Sequence, residues 1–146
     1  MFRLSRAAEY SIRGLLHLTL MEGKGAQDIE AISKAQDVPK AYLSKLFQQL
    51  AKKGFVKSTR GPIGGFVLAR NPSEITLLEV IEATEGPIYL NVCLIRAGYC
   101  NRDALCPVHD VWGEAQTSFI EVLKSCTFSD LAARGKKKAV ADVIVE

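Results

Sequence analysis

The stretch from Asp37 to Ala69 constrains the fold most, because its hydrophobic period switches from helical to strand-like around glycine stops. Leu43, Leu46, Phe47 and Leu50 fall at i, i+3, i+4 and i+7, one apolar face of a helix. Asp37-Val38-Pro39 makes a turn before them, with proline where a helix start does not need its missing N–H. Gly54 stands where a left-handed C-terminal residue is wanted. Phe55-Val56-Lys57-Ser58-Thr59 and Phe66-Val67-Leu68-Ala69 then read as short strands around Arg60-Gly61-Pro62-Ile63-Gly64-Gly65, a hairpin loop. A helix followed at once by such a hairpin predicts a recognition helix and its wing.

The flanking segments agree. Leu4, Ala8, Ile12, Leu15, Leu16 and Thr19 repeat at helical spacing, opposite a stripe of Arg6, Glu9, Arg13 and His17, and Gly23 and Gly25 end that helix. A shorter helix over 28–36 buries Ile29 and Ile32. The third helix presents Lys40, Ser44, Lys45, Gln48, Gln49 and Lys52 on its polar face, the chemistry a helix-turn-helix needs to enter a major groove. Lysine reaches phosphates or guanine edges and glutamine can bond adenine, although such a face can also be merely solvated. Arg60 at the wing tip suits a narrow minor groove, and Gly64 and Gly65 let the backbone approach phosphates.

Net charge is +3, but it is unevenly placed. Residues 1–72 hold twelve Lys/Arg against five Asp/Glu, and residues 73–146 hold seven against eleven, so the halves carry +7 and −4. A polyanion partner for the first half follows, unless the imbalance is only a solvated surface. No window suits a membrane span and the first residues lack a secretory signal, so the expectation is a cytoplasmic protein with reduced thiols. There four cysteines point to metal or redox chemistry rather than disulfides.

Three of those cysteines form Cys93-x6-Cys100-x5-Cys106, and His109 follows after two more residues. Three thiolates on so short a tether can converge on one soft metal centre: an iron–sulfur cluster, zinc or monovalent copper. The Cys-x2-4-Cys pairs common in structural zinc sites are missing, which favours a cluster. Cys126, farther on, reads as a small buried hydrophobe and His17 as structural. Thr76 and Glu79 have capping-box spacing at the start of a helix over 76–84. Val111, Trp112, Ala115, Phe119, Val122, Leu123 and Cys126 form a long apolar strip suited to a partner helix, or to the chain's own domain. After Gly135-Lys136-Lys137-Lys138, the weakly alternating run 140–145 could be a strand, a docking segment or a frayed end.

The run Tyr42-Leu43-Ser44-Lys45-Leu46-Phe47-Gln48-Gln49-Leu50 with Arg60-Gly61-Pro62-Ile63-Gly64-Gly65-Phe66 resembles the bacterial winged-helix repressor family of the iron–sulfur regulator IscR and the nitric-oxide sensor NsrR. Leu4-Ser5-Arg6-Ala7-Ala8-Glu9-Tyr10 resembles that family's first helix, and the likeness spans residues 2–126. It implies a homodimer on a palindromic double-stranded operator, with bases faced by the turn from Tyr42 through Ser44 to Lys45 and the minor groove entered by Arg60. Ser44 stands where IscR-like proteins can carry a glutamate that steers site choice, so no operator sequence carries over. The resemblance also implies a fourth cluster ligand: His109, as in IscR-like proteins with a 2Fe–2S centre, or Glu9, donated across the dimer as in NsrR-like ones. His109 could instead cap the next helix, and Glu9 could pair with Arg13 four residues on. The first spacing is one residue longer than the C-x5-C-x5-C of the best-known relatives, and Gly98 gives the loop room to absorb it.

The expectation is therefore a mostly α chain with a small β-wing. Residues 1–86 would form a winged helix-turn-helix, 87–109 a cluster-binding loop, 110–126 a dimerisation helix and 127–146 a tail. The function expected is a transcriptional regulator whose DNA affinity answers to an iron–sulfur cluster, 2Fe–2S favoured over 4Fe–4S, sensing iron, redox state or nitric oxide. Zinc or direct thiol oxidation is the alternative, with an iron–sulfur carrier or thiol redox protein as the rival from another class. No Cys-x2-Cys redox pair, Gly-rich nucleotide motif or general base supports an enzyme or a small-molecule substrate.

Overall fold

The computed structural model describes residues 3–144; the last residues of the alternating run 140–145 lie partly outside that range. Three helices, α1 (Arg6–Leu20), α2 (Ile29–Gln36) and α3 (Lys40–Lys52), precede an antiparallel hairpin of β1 (Val56–Thr59) and β2 (Gly65–Leu68). Then come α4 (Leu77–Glu85), two 3-10 turns at Val92–Leu94 and Asp103–Leu105, α5 (Pro107–Ser125) and α6 (Phe128–Ile144). This is the expected mostly helical winged helix-turn-helix.

Local chemistry sets the boundaries. Ser5 caps α1 by accepting from the Ala8 N–H, and Leu4 lies just outside the helix. Asp37, at φ 52°, turns the chain between α2 and α3 in the left-handed region, where aspartate is tolerated. The Thr76–Glu79 capping box forms in both directions. Its burial works against ionisation of Glu79, but the Thr76 hydrogen bond and the Arg70 guanidinium together hold that carboxyl below its ordinary value. This contribution is present above the unfolded-state carboxylate pKa and is lost as pH falls through the lowered folded value.

One core joins Leu15 and Leu18 of α1, Ile32 of α2, Leu43, Phe47 and Leu50 of α3, Val56 of β1 and Val80 of α4. Phe47 also meets Phe66 of β2 edge-on, with ring centroids 5.0 Å apart. A second cluster packs Leu78, Ile81 and Ile88 against Leu4, Ile12 and the Phe119, Ile120 and Leu123 side of α5. In this way α4 connects α1 to α5.

The final segment, open in the sequence between strand, docking segment and frayed end, is a helix. Phe128 is fully buried in the main core, with Leu131 packed beside it. Its backbone N–H bonds the Ile75 carbonyl at 3.0 Å, while Leu77 N–H bonds the Cys126 carbonyl at 2.8 Å. Cys126 is buried, as expected, but it ends α5 instead of sitting within it. α5 also starts earlier than expected, at Pro107, so His109 stands in its first turn.

Candidate functional site

The polar face of α3 is open: Lys45, Gln48 and Gln49 are exposed and Ser44 is half-buried. Lys40, at the start of the helix, is 3.1 Å from Glu30 of α2, which also holds Lys34 at 3.1 Å. Those two ammonium groups hold the Glu30 carboxyl below its ordinary value, the Lys34 hydrogen bond most of all. Tyr42 leans edge-on against Tyr10 of α1, centroids 5.7 Å apart. Arg13 lies over that Tyr10 ring at 5.8 Å and forms no ion pair with Glu9 among the described residues.

The wing projects beside α3. Thr59 pairs with Gly65 at its end, and Arg60, Gly61, Pro62 and Ile63 are all exposed, Ile63 to 85%. Both sequence-selected glycines have a packing reason to be there. A Cβ on Gly64 would stand 2.8 Å from the Thr59 carbonyl oxygen, and one on Gly65 would stand 2.3 Å from that of Gln27. Gln27 and Phe66 exchange backbone hydrogen bonds of 2.9 and 2.8 Å, which fasten the wing to the connection before α2.

The cysteines meet at one place. A cavity of ≈ 260 Å³ is lined by Cys93, Cys100, Cys106 and His109, with Asp103 and Trp112. Cys93 comes from the first 3-10 turn and Cys106 is the N-cap residue of α5. All four cysteines are free thiols, the three at the cavity half-buried. Among the described residues, no three His, Cys, Asp or Glu side chains have closed to metal-binding geometry. The donor set nonetheless suits a thiolate-held centre: the Nδ1 of His109 is buried without a hydrogen-bond partner among the described residues. A buried ring nitrogen with no hydrogen-bond partner among the described residues can offer its lone pair to a metal.

Glu9 is not brought to this cavity within the chain. It is exposed on α1 and lines a separate open groove of ≈ 670 Å³ with Arg3, Arg6, Arg13 and Asp37. Sequence reasoning missed Asp103 and Trp112, since neither belongs to a spacing that names a ligand. It also missed Thr127-Phe128-Ser129-Asp130, a capping-box pattern that marks the start of α6. Thr127 N–H bonds Asp130 at 2.9 Å and Asp130 N–H returns to the Thr127 hydroxyl at 3.2 Å.

The family described as Rrf2, iron-dependent transcriptional regulator, matches residues 4–134. The HTH-type transcriptional regulator IscR of Photorhabdus laumondii is 32% identical over 129 residues, covering 88% of this chain and 78% of that protein. The structure of T. potens IscR is similar with a TM-score of 0.76 at 27% identity, covering 94% of this chain and 90% of that one. The structure of CymR, described as the global cysteine regulator of B. subtilis, has a TM-score of 0.73 at 29% identity, covering 92% and 98%.

Proposed function

The chain belongs to the Rrf2 family of transcriptional regulators, DNA-binding proteins and not enzymes, and we propose that it is a homodimer whose hold on a palindromic operator depends on an iron–sulfur centre. The observation that carries this reading is the single cavity lined by Cys93, Cys100, Cys106 and His109, the last with a buried Nδ1 that has no hydrogen-bond partner among the described residues. Those four residues would hold the centre, with Glu9 of the other copy as the competing fourth donor. When bound, the centre supplies a link between loop and helix that oxidants or nitric oxide can break.

The chain's own residues carry that link to DNA. Cys106 starts α5, whose Phe119 and Leu123 pack on the Leu78 and Ile81 cluster of α4, and Ile12 of α1 packs on that same cluster. Tyr10 of α1 then touches Tyr42 at the reading end of α3. Order in the cysteine loop is thereby coupled to the placing of the recognition helix, which a dimer must match to half-sites roughly 34 Å apart. Direct thiol response without a cluster is the second reading, resting on the half-buried, partly accessible placement of the three thiols.

Protein purified without oxygen should be brown and contain iron and acid-labile sulfide, and replacing Cys93, Cys100 and Cys106 together by alanine should remove both. Colourless wild-type protein loaded with zinc, or free of metal, would overturn the cluster reading and leave the DNA-binding one intact.

The dimer would form along α5. Val108, Val111, Trp112 and Val122 are exposed on it, Val111 to 60% and Val122 to 67%, with Val111 three and Trp112 four residues after Val108 and Val122 eleven after Val111, so all four fall on one side of the helix. Glutamates at both Val111 and Val122 should yield a folded monomer in sedimentation that has lost most operator affinity. A dimer surviving both substitutions would place the interface elsewhere.

Arg60→Ala should weaken operator binding by about 1–3 kcal/mol and lower the salt dependence of binding. Unchanged affinity and salt slope in that variant would remove the wing from the contact.

A further inference from the structure

We propose that Asp103 is the positioning residue of the cysteine site, clamping the two arms of the loop about Cys100 and setting the charge the site presents. The inference rests on the iron–sulfur reading above. Six residues separate Cys93 from Cys100 and five separate Cys100 from Cys106. Gly98 belongs to the first arm and Asp103 to the second. The Gly98 N–H donates to Oδ2 of Asp103 at 2.6 Å, a charge-assisted bond that straddles Cys100. Among the described residues it is the one side-chain hydrogen bond within 93–106.

The start of the loop is held to α5, where the Leu90 N–H bonds Gln116 at 2.9 Å, but the two arms about Cys100 need a tie of their own. Their backbone bonds are short-range turns, Tyr99 to Arg96, Asp103 to Cys100 and Leu105 to Arg102. None of them spans from one arm to the other. Gly98 adopts φ +75°, a left-handed conformation that aims its N–H back across the loop and that other residues adopt only with strain. The residue that lengthens the first arm is thus taken up in a glycine turn, and Asp103 fastens that turn.

Asp103 is also half-buried and lines the cavity with the three cysteines and His109. One carboxylate oxygen is taken by Gly98, and the group's negative charge remains at the wall of the site. Hydrogen bonding around the sulfurs and local net charge are the protein's means of tuning such a centre. A fixed negative charge makes adding an electron less favourable and so lowers the reduction potential.

Two substitutions separate the clamp from the charge. Asp103→Asn keeps an oxygen that can accept from Gly98 and removes the charge, whereas Asp103→Ala removes both. Wild type and both variants are purified without oxygen. Iron and sulfide per chain, bleaching rate in air and midpoint potential are measured, with thermal unfolding as the check on folding.

The expected result is that D103N keeps near-wild-type iron with a more positive potential, while folded D103A holds several-fold less iron and bleaches faster. Wild-type iron content and bleaching in D103A would overturn the clamp. So would loss of iron in D103N as deep as in D103A, because the hydrogen bond would then not be what matters. An unmoved potential in D103N would overturn the charge placement. Wild-type protein without iron and sulfide would fail the cluster reading itself, an outcome read before either variant is considered.

Discussion

Phe128→Ala is expected to destabilise the protein by about 3–5 kcal/mol, the range for truncating a fully buried phenylalanine. Phe128 is 0% exposed and sits in the same cluster as Leu15, Ile75 and Val80, so the void would open between α1, α4 and α6. The first turns of α6 supply Phe128, Leu131 and Ala132 to packing, while residues 133–142 are exposed and have nothing apolar to hold them. Detachment of the whole helix should therefore accompany the loss. Thermal or urea unfolding followed by circular dichroism measures this. A midpoint close to wild type would mean that α6 is dispensable to the core. Against a typical total stability of about 5–15 kcal/mol, the expected loss would leave little margin.

Gly65→Ala is the second large effect, expected to cost about 1–3 kcal/mol from backbone strain alone. Gly65 has φ +155°, and a Cβ there would lie 2.3 Å from the Gln27 carbonyl oxygen and 2.5 Å from its carbon. Both are backbone atoms and cannot rotate away. The Gln27–Phe66 pair of hydrogen bonds would have to open, releasing the base of the wing together with the ring contact between Phe66 and Phe47. Lower stability should then come with weaker operator binding, since Arg60 is carried by the same hairpin. A G65A protein with wild-type melting and wild-type DNA affinity would show that the wing is not fastened at this point.

The part of the molecule legible from sequence is the part specified by short-range patterns. The Leu43, Leu46, Phe47, Leu50 face of α3, the Gly54 stop, the strand–glycine–strand wing and the Thr76–Glu79 box are each written within a few residues and lie where expected. The cysteine spacing likewise located the loop, because a short tether limits how far its thiols can separate. Boundaries shifted where a cap decides them: Cys106 and Pro107 begin α5 ahead of the apolar strip, drawing His109 into the helix.

Long-range contact decided the rest. Residues 127–132 have a capping box and a few apolar side chains, which by themselves do not say whether the segment docks or frays. Its anchoring follows from Phe128 meeting the core and from the bonds that join Ile75 and Leu77 to Phe128 and Cys126. The Glu9–Arg13 spacing suggested an ion pair, yet Tyr10, held edge-on by Tyr42, offers Arg13 a ring face instead. Asp103 carried no ligand spacing, and its place became visible only when Gly98 turned back toward it. Sequence alone therefore determined the elements ahead of α6 and the chemistry available, because periodicity, caps and turns act over one or two helical turns. The tertiary structure decided which of those groups share a cavity or a core, because residues far apart in the chain are brought together by packing that no local pattern records.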